Sequence, residues 1–266
     1  MIGDTHIHSR FSGDSEADPE EVIRKAVTEG LPEICFTDHV DWDFPEEGVV
    51  FDIDFPEYFR VLGELREKYK EQVRVLIGVE LGMQPHLGRR YTDLLMKYPF
   101  DYTIGSQHLV DMRDPYYPET FEGKTDREVF RRYFEETLEN VQRFHNFDSM
   151  GHLDYIVRYG RQNRRSYHSR DYAEIIDEIL KLLVKHNIAL ELNTAGLRKQ
   201  MGAPNPHPDI LRRYRYLGGT LVTVGSDSHK PYSLGFAFDT AKDILKNCGF
   251  THYVYYQRHN PEFVKL

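Results

Sequence analysis

Two histidines near the start of the chain have the spacing of a chelating pair. His6 and His8 stand two residues apart in a short, mainly apolar run. Side chains two apart on a β-strand point to the same side, so both imidazoles would face one place. Imidazole is a common ligand of transition metals. Alone, the pair is weak evidence for a metal site. The residues that follow the other apolar runs of the chain provide further evidence.

Histidine, aspartate, glutamate or asparagine residues also stand at the end of each of the remaining apolar runs that predict a strand. A repeated placement of imidazoles and carboxylates directly after apolar segments is not a requirement of solubility, so it indicates a shared site. The residues are Asp38 and His39, Glu80, His108, His152 and Asp154, Glu191 and Asn193, and Asp227 and His229.

Nine of these side chains and their neighbours are candidate metal ligands. They are His6, His8, Asp14, His39, Glu80, His108, His152, Asp227 and His229. A catalytic zinc takes about three protein ligands, so nine suit a site of two or three ions. A mixture of imidazole and carboxylate without thiolate favours zinc, iron or manganese over calcium or magnesium.

The elements that position these residues alternate in type along the chain. Apolar runs near 2–8, 32–38, 73–80, 100–107, 147–152, 188–193 and 220–226 predict strands. Amphipathic stretches near 19–29, 55–70, 88–98, 125–145, 171–186, 207–217 and 236–247 predict helices. This alternation predicts a parallel sheet in one domain spanning residues 1–266. No glycine-rich loop follows the first strand, which favours a closed barrel with its site at the C-terminal strand ends.

Composition excludes several classes of protein. The 266 residues are 40% hydrophobic, which rules out a disordered chain, and 34 basic against 43 acidic residues give a net charge of −9. That charge argues against a nucleic-acid partner, because no basic domain is present to neutralise phosphates. Two cysteines make no disulfide framework. No signal peptide or membrane segment is evident, so we expect a cytoplasmic protein without a membrane partner.

Six spaced motifs resemble those of the polymerase and histidinol phosphatase (PHP) superfamily. They are His6-x-His8, Thr37-Asp38-His39, Gly78-x-Glu80, Gly105-Ser106-x-His108, Gly151-His152-Leu153-Asp154 and Ser226-Asp227-Ser228-His229. Three further segments are similar to the stand-alone L-histidinol-phosphate phosphatases within it. These are Phe11-Ser12-Gly13-Asp14-Ser15, the stretch from Gly151 to Gly160, and Glu191-x-Asn193-Thr194-x-Gly196.

The resemblance implies a distorted (β/α)7 barrel, similar to a TIM barrel, that holds two to three divalent ions. It assigns His6, His8, Glu80 and Asp227 to a first ion, and Glu80, His108 and His152 to a second. It assigns Asp14, His39 and His229 to a third ion. Many relatives have histidine where this chain has Asp14, which makes the third position more anionic here.

The activity implied is hydrolysis of L-histidinol phosphate to L-histidinol and inorganic phosphate, a step of histidine biosynthesis. A metal-activated water attacks phosphorus, and no phosphoenzyme forms. Three of the candidate metal ligands are also the catalytic candidates: Glu80, Asp227 and His229. Five arginines are candidates for binding phosphate: Arg158, Arg161, Arg164, Arg165 and Arg198. Of these, Arg158 and Arg198 are expected to bind it, because they stand nearest to the motifs.

Two segments and one cysteine outside the motifs allow further expectations. Acids and aromatics of 41–45 and 51–55 either receive the ammonium and imidazole of the substrate or form a covering loop with a packed Trp42. Cys35 is expected to pack within the second strand. The run 253–256 predicts a terminal strand that closes or covers the barrel.

Other functions stay open at this point. The runner-up is a PHP-type phosphatase of other specificity or a metal-dependent nuclease. A non-enzymatic, degenerate PHP domain would have lost ligands, whereas all nine are present. An amidohydrolase also begins with a His-x-His strand, but the later motifs differ from its signature.

Overall fold

The computed structural model of the chain describes residues 1–46, 48, 50–161, 167–199 and 201–266. Arg164 and Arg165, two of the five arginines considered for phosphate, lie outside the described residues.

Parallel strands form the centre of the fold. The strands are β1 (Asp4–Ile7), β2 (Glu33–Phe36), β3 (His39–Val40), β4 (Arg74–Gly82), β5 (Tyr102–Ser106), β6 (Ser149–Met150), β7 (Ala189–Asn193) and β8 (Val222–Gly225). Seven of them follow one another in the sheet in the order β1, β2, β4, β5, β6, β7, β8. The short strand β3 comes two residues after β2 and pairs with the later part of β4.

The first and last strands of this order also meet. Backbone N–H groups donate from His8 to the Ser228 carbonyl at 2.8 Å and from Asp227 to the His6 carbonyl at 2.9 Å. These bonds bring the end of β8 against β1, so the sheet is a nearly closed barrel. The predicted TIM-like (β/α)7 fold is thereby confirmed.

Helices connect the strands. Of those described, all but the four-residue helix Ala195–Arg198, which was not predicted, lie close to the predicted positions. They are α1 (Pro19–Glu29), α2 (Phe55–Tyr69), α3 (Gly88–Lys97), α4 (Asp126–Arg143), α5 (Ala173–His186), α6 (Ala195–Arg198), α7 (Pro208–Tyr216) and α8 (Phe238–Asn247). The start of α1 is fixed by the Asp18 side chain, which accepts from two backbone N–H groups of the first turn, and by Pro19. Its end is fixed by Gly30, whose φ of 70° is readily adopted by glycine.

Apolar side chains fill the space on both sides of the barrel wall. Buried residues of the helices, such as Ile23 in α1 and Leu62 in α2, pack on the outer face. A second cluster joins Cys35, Leu76 and Tyr102 of neighbouring strands to residues of the chain terminus. Cys35 is fully buried there, as expected. Burial of this apolar surface is the main source of stability.

A terminal hairpin covers the N-terminal end of the barrel. Its strands β9 (His252–Gln257) and β10 (Asn260–Lys265) are antiparallel. Tyr256 stacks on Tyr102 with ring centroids 5.3 Å apart. The Tyr253 hydroxyl donates to Glu33 Oε1, at the start of β2, over 2.6 Å. The predicted terminal strand is therefore confirmed, and it lies at the end opposite the loops that carry the motifs.

None of the described helices is both long and apolar enough to cross a membrane.

Candidate metal centre

A cavity of about 530 Å³ opens at the C-terminal ends of the strands. His39, His108, His152 and His229 line one part of it. His6 and His8 are fully buried and contact these lining imidazoles. The motif residues therefore meet at the end of the barrel where parallel barrels place their active sites.

Glu80 stands at the centre of this cluster. It lies on β4 with no solvent exposure, and Ser106 Oγ donates to its Oε1 over 2.6 Å. The other neighbours of its carboxylate are imidazole nitrogens. Oε1 lies 3.0 Å from Nε2 of His152 and 3.2 Å from Nε2 of His108. Oε2 lies 3.0 Å from Nε2 of His6, 3.2 Å from Nδ1 of His39 and 3.4 Å from Nε2 of His8. A single carboxylate thus faces five histidines.

The electrostatics of the cluster follow from burial and this crowding. Burial alone would raise the pKa of Glu80, but the neighbouring imidazoles of His6 and His39 lower it well below its ordinary value. Burial and the nearby His229 and His39 lower the pKa of His8 to about 3. His8 is thus a neutral imidazole at pH 7, which is the form that binds metal.

Several buried polar atoms of the cluster lack a hydrogen-bond partner among the described residues. They include Nε2 of His8, Nδ1 of His39 and Oδ2 of Asp41. Buried polar atoms without a partner are costly, and lone pairs that face one another call for a cation between them. This donor set of imidazoles and carboxylates fits zinc, iron or manganese.

Ligand atoms fall into groups whose members lie within 4.8 Å of one another: His6, His8 and Glu80; Glu80, His108 and His152; and His8, His39 and His229. The first two groups agree with the first two ligand sets that the sequence implied. Asp227 joins the first, because its Oδ1 lies 3.5 Å from His8 Nε2.

The third ligand set is assembled less tightly. Asp14 Oδ2 lies 3.0 Å from Nε2 of His229 and 3.8 Å from Nε2 of His39. Asp14 is also the most exposed of these ligands, with 42% of its side chain accessible. Six of the nine candidates therefore line one cavity, and the buried His6, His8 and Glu80 contact them. Metal binding by the nine and their assignment to individual ions stay predictions.

Asp41 belongs to the cluster but was not among the predicted ligands. Its Oδ1 lies 2.6 Å from Nδ1 of His108 and its Oδ2 lies 3.3 Å from Nδ1 of His39, so these three form a fourth group. A Cβ at Gly82 would overlap the Asp41 carboxylate, and glycine leaves the necessary space. The signal in the sequence was the spacing, since Asp41 follows His39 by two residues and faces the same side.

Glu191 orients the first histidine of the site. Its Oε1 lies 2.6 Å from Nδ1 of His6, and its Oε2 accepts from the His152 backbone N–H over 2.8 Å. The bond fixes the His6 ring so that Nε2 faces Glu80, an arrangement typical of metal-binding histidines. A Cβ at Gly225 would overlap both His6 and Glu191, which explains the glycine at the end of β8.

Both predicted phosphate-binding arginines lie at the cavity and contact the loop after β8. The buried Arg158 guanidinium lies 3.2 Å from Asp227 Oδ2. Arg198 donates to the carbonyls of Ser226 and Asp227, each at 3.0 Å. Asp227 has a φ of 53°, an uncommon conformation for a residue with a side chain. The arginines therefore help to hold Asp227 in place, and their contact with phosphate stays a prediction.

Lys199 and Lys230 also line the cavity, and neither was predicted. Lys199 follows directly after α6, which ends at Arg198. Among the described residues, four basic side chains thus line the cavity, and they can attract a phosphate dianion to the part of the wall that they form.

The chain belongs to the PHP domain family, since a match to that family covers residues 4–195. Among its relatives, the probable histidinol-phosphatase of Clostridium acetobutylicum is 37% identical over 93% of this chain and 94% of that protein. The histidinol-phosphatase of Lactococcus lactis is 35% identical over 93% of this chain and 91% of that protein.

A solved structure shares the whole architecture. The crystal structure of histidinol phosphate phosphatase from Lactococcus lactis, complexed with zinc, L-histidinol and phosphate, matches with a TM-score of 0.92. The match covers 98% of both chains at 33% sequence identity. The resemblance inferred from the motifs is therefore confirmed.

Proposed function

We propose that the protein is a histidinol-phosphatase, which hydrolyses L-histidinol phosphate to L-histidinol and inorganic phosphate. The observation that carries this proposal is the similarity along the whole chain to an enzyme whose structure holds zinc, L-histidinol and phosphate. The histidine and carboxylate cluster beside an open cavity supports it. We also propose that residues 1–266 form a single PHP barrel domain.

The proposed cofactor is a set of two to three divalent ions, zinc, iron or manganese. Three groups of ligand atoms would hold these ions: His6, His8 and Glu80; Glu80, His108 and His152; and His8, His39 and His229. Asp14, Asp41 and Asp227 would be further ligands. When bound, such ions lower the pKa of water and neutralise charge on phosphoryl oxygens.

The protein's own side chains bind and orient the phosphate ester in this proposal. The basic side chains of Arg158, Arg198 and Lys199 attract the dianion to the wall that carries Asp227. Asp227 and His229 are the proposed catalytic residues on this wall. Glu80, which belongs to two of the ligand groups, is the third proposed catalytic residue. His229, 28% exposed, lies where it can contact both substrate and Asp14.

The proposal is tested by phosphate release from a panel of phosphomonoesters. We expect kcat/KM for L-histidinol phosphate to exceed that for phenyl phosphate or a mononucleotide by about 100-fold, because a site with hydrogen-bonding groups discriminates strongly. An oligonucleotide in the panel tests the nuclease alternative. Equal rates on all esters, or faster cleavage of the oligonucleotide, would contradict the proposed substrate.

Arg198→Lys should lower kcat/KM for the phosphate ester by about 100-fold, the cost of a misplaced catalytic group. A lysine has one compact ammonium in place of the planar guanidinium, so it cannot reproduce both the two bonds to the Asp227 loop and a bidentate contact with phosphate. Steady-state kinetics and metal content of the purified variant check this, and we expect the metal content to be unchanged.

Arg215→Lys is a matched control for this prediction. Arg215 also donates to two backbone carbonyls, those of Gly219 and Gly249, but it lies outside the cavity. Its variant should retain full kcat/KM. If Arg198→Lys resembles the wild type while Arg158→Lys is impaired, the phosphate contact belongs to Arg158 instead.

A further inference from the structure

Four carboxylates line the described part of the cavity, and three of them are bonded to basic or imidazole side chains. Asp14 bonds His229, Asp41 bonds His108, and Asp227 pairs with Arg158. The fourth is Asp114, in the loop between β5 and α4.

Asp114 forms no ion pair with a lysine, arginine or histidine side chain of the described residues, and the nearby His108 imidazole only partly offsets its burial. The side-chain bond that the described residues give it is from the Tyr116 backbone N–H to Oδ1, over 2.8 Å. Burial raises the pKa of this carboxyl, a sign that its anionic form is incompletely compensated. A cation brought into the cavity would supply the missing partner.

The loop that carries Asp114 is held in place. Thr120 Oγ1 donates to the Asp114 carbonyl over 2.8 Å. Arg161 donates to the Tyr116 carbonyl over 2.7 Å. These bonds hold the backbone at Asp114 and two residues after it, so the position of the carboxylate does not have to be organised when a ligand arrives.

The acids of the segments 41–45 and 51–55 are otherwise engaged. Asp43 pairs with His86 and Arg90 outside the cavity, Asp52 accepts from the Trp42 indole, and Asp54 caps α2. Trp42 stacks on Tyr91, as the covering-loop interpretation required. These segments contribute aromatic rings to the cavity instead, those of Phe44 and Phe51.

We propose that Asp114 is a specificity-determining residue that receives the ammonium group of the substrate. The inference rests on the proposed function, because L-histidinol phosphate carries an ammonium group close to its phosphate ester. In the proposed function the phosphate lies at the wall of Arg198 and Lys199, and the rings of Phe44, Phe51 and Tyr155 border the remaining space. A carboxylate and an ammonium form a strong, charge-assisted hydrogen bond.

The test compares L-histidinol phosphate with its analogue that lacks the amino group, 3-(imidazol-4-yl)propyl phosphate. Asp114→Asn keeps the size of the side chain and an acceptor for the Tyr116 N–H but removes the charge. We expect it to lower kcat/KM for L-histidinol phosphate on the order of 10- to 100-fold, mainly through KM. The analogue should lose far less, so the preference for the amino group should collapse.

Asp43→Asn is the matched control, since Asp43 is an aspartate of the same face that lies outside the cavity. It should retain the wild-type preference. Equal losses on both esters, or an unchanged preference in Asp114→Asn, would overturn the role of Asp114 alone. A wild type that hydrolyses other phosphomonoesters but does not prefer L-histidinol phosphate would overturn the proposed function itself.

Discussion

Glu80→Gln should lower kcat by a factor on the order of 10³, because it removes a charge on which the whole metal cluster depends. The amide has nearly the shape of the carboxylate, but it carries no negative charge opposite the five imidazoles. Its NH2 group would also point a donor at positions where metal ligands must present lone pairs. Phosphate release under saturating substrate measures the effect.

Glu33→Gln is the control for the burial of a carboxylate in a strand. Glu33 is 2% exposed, but it bonds Tyr253 at the opposite end of the barrel. We expect this variant to lose thermal stability while the folded enzyme keeps its turnover. A Glu80→Gln enzyme with near-wild-type kcat and unchanged metal content would refute the assignment of Glu80 to two ions.

Removal of metal should abolish activity completely. The imidazoles and carboxylates of the cluster are oriented toward one another, and unpartnered atoms such as His8 Nε2 remain among the described residues. We therefore expect elemental analysis of the purified protein to give more than one ion per chain. Dialysis against a chelator should eliminate phosphate release, and zinc, iron or manganese should restore it.

Thermal unfolding separates this prediction from simple denaturation. An ion that binds the folded state stabilises it by mass action, so the chelated protein should unfold at a lower temperature but remain folded at 25 °C. A fully active preparation with one ion per chain or none would contradict the multinuclear site.

The barrel was predictable from the sequence because its signals are local. The apolar runs of the seven predicted barrel strands are short and bounded by polar residues, and caps such as Asp18 and Gly30 mark helix ends directly. Strand β10 was missed because five of its six residues are exposed and give no apolar run. Strand β3 is only two residues long, so no periodicity can reveal it.

The clustering of the candidate ligands was predictable for a different reason. Parallel strands bring their C-terminal ends together, so residues far apart in sequence, such as His6 and His152, must approach one another. The direction of each contact was not predictable, because it depends on packing between distant segments. Thus the bond of Glu191 to His6, 185 residues away, and that of Asp41 to His108 emerged only in three dimensions.

The hairpin of β9 and β10 and the cavity lie at opposite ends of the barrel. Tyr253 and Tyr256 bond and stack at the N-terminal end of the strands, whereas Asp114 and the candidate metal ligands lie in the strands and loops at the other end. The bonds and the stacking contact described for Tyr253 and Tyr256 involve no candidate metal ligand, so substitutions there and at Asp114 should have additive effects on the free energy of unfolding. The substrate preference set at Asp114 and the stability contributed by the hairpin can therefore vary independently in this protein.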